Sequence, residues 1–140
     1  MCFIQINLRH SRSATSQLTR RVEKLKTYIL LITEPWVRNH RVQGLKSLGN
    51  VYYVRDKSFH PRACIVASRD LKLWTINGLC DEDNIVCKLC INDNDHYITS
   101  SYLDRFYDIE NDSQFSKIIA FCESINKPLL IGTDSNAHSF

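Results

Sequence analysis

The sequence predicts an α/β protein of the α+β kind. It is expected to be a four-layer sandwich: two mixed, largely antiparallel sheets packed face to face, with helices outside. Three observations lead there. The chain begins with a strand, an amphipathic helix and a second strand. Its middle is a run of short apolar strands separated by turn residues. It closes with another helix and a last strand. The regular strand–helix alternation of a doubly wound sheet is not present.

Each element has its own signal. Residues 3–8 alternate and read as a strand ending at Asn7-Leu8. A helix over 14–28 follows, with Ser13 as its N-cap and Leu18, Val22, Leu25 and Ile29 at helical spacing. Ile29-Leu30-Leu31-Ile32 is apolar throughout and reads as a strand buried on both faces. It breaks at Glu34-Pro35, because proline donates no hydrogen bond and disfavours the helical region for the residue before it. Strands over 51–54, 63–67, 73–76, 85–91 and 96–102 come next. Turn signals separate the later ones: Asn77-Gly78, the polar run 81–84, and 92–95 as a hairpin loop. A second helix over 113–125, capped by Asp112 or Ser113, carries Phe115, Ile118, Ile119, Cys122 and Ile125 on one face. Pro128 opens the final strand, an apolar run that reads as buried and stops at Gly132. Asp134, Asn136 and His138 then follow at alternate positions, which strand periodicity places on one side.

The 140 residues suffice for one domain, 1–140, with one core. No apolar span is long enough for a transmembrane helix, and the N-terminal apolar stretch is too short for a secretory signal. These features point to an intracellular protein with no membrane partner. The six cysteines are read as reduced, small buried hydrophobes, since four lie in apolar runs and nothing suggests export. Cys87-x-x-Cys90, with Cys80 and His96 nearby, has the outline of half a zinc site. A strand through 85–91 turns its two sulfurs to opposite faces, and no second pair follows. The net charge of +3 is small, but its distribution is uneven. Basic residues crowd the N-terminal quarter and continue in Arg38, His40 and Arg41 after Trp36, whereas acids collect at 81–83 and 108–112. A basic front suits a polyanionic partner, and a solvated helix face explains the same charge equally well.

Polar residues cluster at the ends of apolar strands: Asn7, Glu34, Tyr102, and Asp134 with Asn136. In a sandwich such ends converge at one rim. A carboxylate there suits a hard cation such as Mg²⁺, which takes oxygen ligands and keeps several waters. Asp134 is placed to orient or activate a water, Asn7 and Asn136 to fix carboxylates and phosphate, and Tyr102 to donate to a phosphate oxygen. Each also has a plain reading: a turn asparagine, a solvated glutamate before proline, a turn Asp-x-Asn, a core tyrosine.

Five segments in order carry a resemblance. They are Gln5-Ile6-Asn7-Leu8, Thr33-Glu34-Pro35-Trp36, Arg62-Ala63-Cys64-Ile65-Val66, Ser100-Ser101-Tyr102-Leu103, and Ile131-Gly132-Thr133-Asp134-Ser135-Asn136-Ala137-His138. Together they resemble the endonuclease/exonuclease/phosphatase superfamily, which includes DNase I and apurinic endonucleases. More narrowly, they resemble the apurinic-endonuclease-like domain at the front of the polyprotein of non-LTR retrotransposons. The resemblance implies that Glu34 binds the metal with support from Asn7, and that Tyr102 contacts the scissile phosphate. It implies that Asp134 and Asn136 orient the attacking water and stabilise the strained phosphate. The implied reaction is Mg²⁺-dependent hydrolysis of a phosphodiester in double-stranded DNA, with Mn²⁺ as a substitute, leaving a 3′-hydroxyl. In that setting the new end primes a separate reverse transcriptase domain of the same polyprotein, and the nucleus is the expected location. Trp36, Arg38, Arg41 and His138 are the expected DNA contacts. Two other readings stand beside this one: a phosphatase of the same fold, and a non-catalytic nucleic-acid-binding remnant. Family members continue past the Asp-x-Asn segment with further strands and a Ser-Asp-His motif. The chain stops before them, so its last strands are expected to be missing and its activity alone weak or nil. His138 belongs to the Asn-Ala-His segment and is not that later histidine.

Overall fold

β-Branched and apolar runs set the strands, and the faces they bury set the layers. The computed structural model describes residues 1–103 and 113–134, without the side chain of Asp134. β1 (Cys2–Asn7), α1 (Arg12–Val22) and β2 (Tyr28–Thr33) open the chain. Two short strands follow, β3 (Val37–Arg38) and β4 (Arg41–Val42), then β5 (Asn50–Tyr52), β6 (Ala63–Ala67) and β7 (Trp74–Thr75). β8 (Asn84–Ile91), β9 (Asn94–Tyr102), α2 (Gln114–Ile125) and β10 (Leu129–Asp134) complete the described elements. Two four-stranded sheets result, ordered β1-β2-β6-β5 and β10-β9-β8-β7, and β3 and β4 form a separate hairpin. β1 pairs with β2 and β10 with β9 in parallel; the remaining pairs are antiparallel. The two sheets are thus mixed and largely antiparallel, as expected.

Alternation along β2 divides its side chains between two cores. Leu30 and Ile32 join Cys64 and Val66 against Leu18 and Val22 of α1. Ile29 and Leu31 join Ile65 and Ala67 against Ile85, Cys87 and Ile98 of the second sheet. On the far side of that sheet, the Tyr97 ring meets Phe121 of α2 edge-on at 5.6 Å between centroids. The layers therefore run α1, first sheet, second sheet, α2, which is the expected four-layer sandwich. Ser100 fastens the two sheets together: its hydroxyl donates to the Ile32 carbonyl at 2.8 Å. Among the described residues, no helix is long and apolar enough to cross a membrane.

Several elements differ from their sequence-based expectations. α1 ends at Val22 instead of reaching Tyr28, and its N-cap is Ser11, whose side chain accepts from the Ala14 N–H. Arg9 and His10 both take left-handed backbone, φ 51 and 58, so the chain reverses early and the helix starts two residues before Ser13 would allow. Leu25 matches the helical spacing only by coincidence and is 37% exposed beyond the helix end. The 36–41 stretch, to which the sequence assigned no strand, holds the β3–β4 hairpin, whose Asn39 and His40 both have positive φ, 53 and 62. That is the backbone of a two-residue type I′ turn, as is Asn92-Asp93 between β8 and β9. β10 was expected to be buried and to stop at Gly132. It runs through Gly132 to Asp134, and Leu130 and Ile131 are 41% and 40% exposed because β10 edges its sheet.

The start of β2 is held by a polar cluster. The Ser68 hydroxyl accepts from the Tyr28 N–H at 3.1 Å and donates to Asp70 at 2.6 Å, and the Thr27 hydroxyl donates to Asp70 at 2.7 Å. Those hydrogen bonds, Ser68's first, hold the Asp70 carboxyl below its ordinary 3.8. A depressed carboxylate contributes stability that is present above the unfolded value and is lost as pH falls through the folded one. Asp70→Asn should therefore flatten the acid limb of a melting-temperature profile taken from about pH 5 to pH 2.

Candidate metal and nucleic-acid site

Three strands of the first sheet meet at one end in a single row. Asn7 pairs in register with Thr33, and Thr33 with Ala63. In the second sheet Tyr102 pairs with Asp134, the last residue of β10. Alternation fixes which of these side chains face the gap between the sheets. Leu31 and Ile65 lie in the inter-sheet core, so Thr33 and Ala63 face inward too. A Cβ built on Gly132 would meet Leu31 at 2.6 Å and Gln5 at 3.2 Å. Gln5 therefore faces the second sheet, and Asn7, two residues on, does the same. Ser100 reaches across to Ile32, so Tyr102 also points into the gap. Asn7, Thr33 and Tyr102 thus converge from both sheets at one rim, where the backbone of Asp134 also ends.

Glu34 follows directly on this row, in left-handed backbone at φ 48. That conformation costs a non-glycine residue about 1 kcal/mol and persists only where neighbours impose it. They do so from both sides. The Glu34 N–H donates to the Arg62 carbonyl at 2.8 Å, and its carbonyl accepts from the His10 N–H at 2.8 Å. His10 is itself tied down, its Nδ1 lying 3.0 Å from the Pro35 carbonyl. A carbonyl only accepts, so the proton sits on Nδ1. The Asn7 side-chain oxygen accepts from the Arg9 N–H at 2.7 Å, which orients the amide beside this loop. The half-buried Glu34 carboxylate has no hydrogen-bond or ion-pair partner among the described residues.

Arg62 joins the two halves of the rim, and sequence reasoning did not single it out. Its side chain makes a two-pronged contact with Asp83, at 2.5 and 3.0 Å, and lies 3.7 Å from Glu82. Its guanidinium carbon sits 5.3 Å from the Tyr102 ring centroid. Burial alone would pull the guanidinium down, but the Asp83 hydrogen bond and charge outweigh it and hold it up. The partner behaves differently: burial pushes the Asp83 carboxyl up, against the pull of Arg62. The pair is best described by the Arg62 direction, because fork-shaped geometry favours both charges, while the burial of Asp83 offsets part of the attraction. With Arg62 38% exposed, the pair is worth about 1 kcal/mol. Arg62→Ala should lower the melting temperature by a few degrees, and Arg62→Lys should recover only part, since it keeps the charge but not the fork. His60 is a second residue the sequence did not flag; its ring lies tilted against that of His10, 5.5 Å between centroids and 52° between planes. For His60 the signal was nearness to Pro61 and the start of a strand; Arg62 heads one of the five segments that carry the resemblance, which gave it no role of its own.

The other expected site residues divide. Arg38 and Arg41 face each other across the β3–β4 hairpin, both exposed. Trp36 packs at the base of that hairpin beside Gly44, with the Arg12 guanidinium 5.6 Å over its ring. Asn136 and His138 lie outside the described residues, as does the side chain of Asp134. Cys87 is buried and Cys90 exposed, on alternate faces of β8, so the Cys-x-x-Cys pair does not converge. All six cysteines are free thiols.

The donors at the rim are oxygens: the Glu34 carboxylate, the Asn7 amide and the Thr33 hydroxyl. Thr33 Oγ1 is fully buried and without a partner among the described residues, a state that costs about 1–3 kcal/mol. Among the described residues no three His, Cys, Asp or Glu side chains come together as a metal cluster. One carboxylate, an amide and an unsatisfied hydroxyl fit a hard cation that retains most of its waters.

Among solved structures, the chain is similar to the endonuclease domain of TRAS1, a telomere-specific non-LTR retrotransposon. The TM-score is 0.74 at 23% sequence identity, covering 97% of this chain and 59% of that one. The likeness establishes the fold, and the chain spans 59% of the length of that domain. No protein-family model matches the sequence, and no curated protein matches it.

Proposed function

We propose that this chain is a metal-dependent DNA endonuclease domain of a non-LTR retrotransposon, nicking double-stranded DNA to expose a 3′-hydroxyl for a reverse transcriptase domain. The observation that carries the reading is the locked, left-handed Glu34 beside inward-facing Asn7, Thr33 and Tyr102. A carboxylate held at this cost, in a fold shared with a retrotransposon endonuclease, is better explained by a ligand than by packing. Glu34 and Asn7 would hold Mg²⁺ or Mn²⁺. When bound, the cation supplies charge stabilisation at the phosphate oxygens. Tyr102, steadied by Arg62, donates its hydroxyl proton in a hydrogen bond to a phosphate oxygen. Asp134 and Asn136 orient the attacking water on the opposite side of the phosphorus. Arg38 and Arg41 bind backbone phosphates outside the cleft, with Trp36 as their platform and His138 as a further contact. The nucleus, where target DNA lies, is the proposed location.

The direct test is relaxation of supercoiled plasmid in Mg²⁺, followed by primer extension from the nick. The chain is assayed alone and within a longer polypeptide that carries it. Extendable nicks that vanish in EDTA support the proposal. Release of phosphate from small phosphoesters without nicking would move the assignment to a phosphatase. The exposed Arg38–Arg41 pair favours one other outcome, DNA binding without cleavage. Salt-sensitive binding unchanged in Glu34→Ala, with no nicks in either preparation, would establish that reading instead.

A further inference from the structure

The hydroxyl of Thr33 is fully buried at the rim, and no described residue offers it a hydrogen bond. Its residue is 0% exposed, and Oγ1 has no partner among the described residues. Its neighbours account for this. Ala63, beside it in the sheet, has no polar side chain. The Ser100 hydroxyl, reaching in from the second sheet, is directed to the Ile32 carbonyl. The Asn7 oxygen on the other side already accepts from the Arg9 N–H. Two other buried oxygens lack partners among the described residues, Asn84 Oδ1 and Thr133 Oγ1. Both belong to residues paired with Ser101, whose side chain alternates with that of inward-facing Ser100. Those two therefore sit on the outer face of the second sheet, whereas Thr33 faces the gap between the sheets, in register with Asn7 and next to Glu34.

We infer that Thr33 is a positioning residue whose hydroxyl holds a water of the cation's own hydration shell. The inference rests on the metal-dependent reading above. A hard divalent cation held by one carboxylate and one amide keeps several waters, and those waters need acceptors. A threonine in a strand is stiff at its first side-chain torsion, so its hydroxyl is a fixed acceptor and donor. It sets where one bound water points.

The test separates a site role from an idle buried hydroxyl. Thr33→Val keeps the shape and removes the oxygen; Thr33→Ser keeps the oxygen and loses the methyl. In EDTA, Thr33→Val should melt about 4 °C above the parent chain, because an unsatisfied polar atom has gone. Mn²⁺ affinity, read from the free-ion EPR signal without DNA, should fall about fivefold to tenfold in Thr33→Val and hold within about twofold in Thr33→Ser. The Mn²⁺-induced rise in melting temperature should shrink in parallel. Equal Mn²⁺ affinity in Thr33→Val and the parent, with binding lost in Glu34→Ala, would overturn the Thr33 assignment alone. Equal Mn²⁺ affinity in Glu34→Ala and the parent would instead remove the metal reading and this inference with it.

Discussion

Replacing Glu34 by glutamine should lower Mg²⁺-dependent nicking by about a hundredfold or more, while leaving the fold in place. The side chain is half-buried at the rim and bonds to no other described residue, so its loss breaks no packing. What is lost is the one carboxylate among the oxygen donors of the first sheet. A hundredfold corresponds to about 2.7 kcal/mol of transition-state stabilisation, within what one charged metal ligand supplies. Glycine at the same position sharpens the test. The backbone sits at φ 48, where glycine carries no Cβ penalty. Glu34→Gly should therefore melt at or above the parent temperature and still fail to nick. A protein that gains stability and loses activity at one position identifies a residue kept for chemistry. Nicking by Glu34→Gln at the parental rate, in matched Mg²⁺, would remove Glu34 from the site.

Alanine at Gly132 should cost about 2–3 kcal/mol of stability, the upper part of the range for overfilling a packed core. The new Cβ would lie 2.6 Å from both Cβ and Cδ1 of Leu31, far inside contact distance. Leu31 can turn its Cδ1 away, but its Cβ is fixed to the middle of the first sheet, so the sheets must part. Urea melts of Gly132→Ala should show a lower midpoint with an unchanged slope. Leu31→Ala should cost less in the Gly132→Ala chain than in the parent, because there it also removes the clashing Cδ1, while its Cβ stays in the way. Metal affinity should fall as well, since parted sheets move Tyr102 away from Asn7 and Thr33. An unfolding free energy within about 0.5 kcal/mol of the parent would show that the sheets have more room between them than this packing allows.

These effects differ in how readily the sequence discloses them. The strands were legible because runs such as Tyr28–Thr33 and Ala63–Ala67 are apolar and β-branched, and Pro35 marked the break after Glu34. The rim positions of Asn7, Glu34 and Tyr102 were legible from the same strand ends. Two signals misled. Leu25 continued the helical spacing past the true end at Val22, because periodicity alone does not separate a helix from the strand that follows it. Gly132 looked like a stop signal, whereas its reason is the nearness of Leu31 in another sheet, a distance no local pattern encodes. The β3–β4 turn was hidden because Asn39-His40 lacks the glycine that usually announces a type I′ geometry. Arg62, His10 and Thr33 were missed for a common reason. Their roles lie in backbone bonds, a ring contact and an absent partner, and none of these leaves a mark on residue type.

Arg62 has one more implication. Its carbonyl fixes Glu34 on one sheet, while its guanidinium grips Asp83 and lies against Tyr102 on the other. The first link is made by backbone and holds for any residue at 62, whereas the second needs this side chain. In related lineages a change at 102 should travel with compensating changes at 62 or 83, and chimeras that swap one sheet between lineages should lose stability unless that arginine and its acid are exchanged as a set.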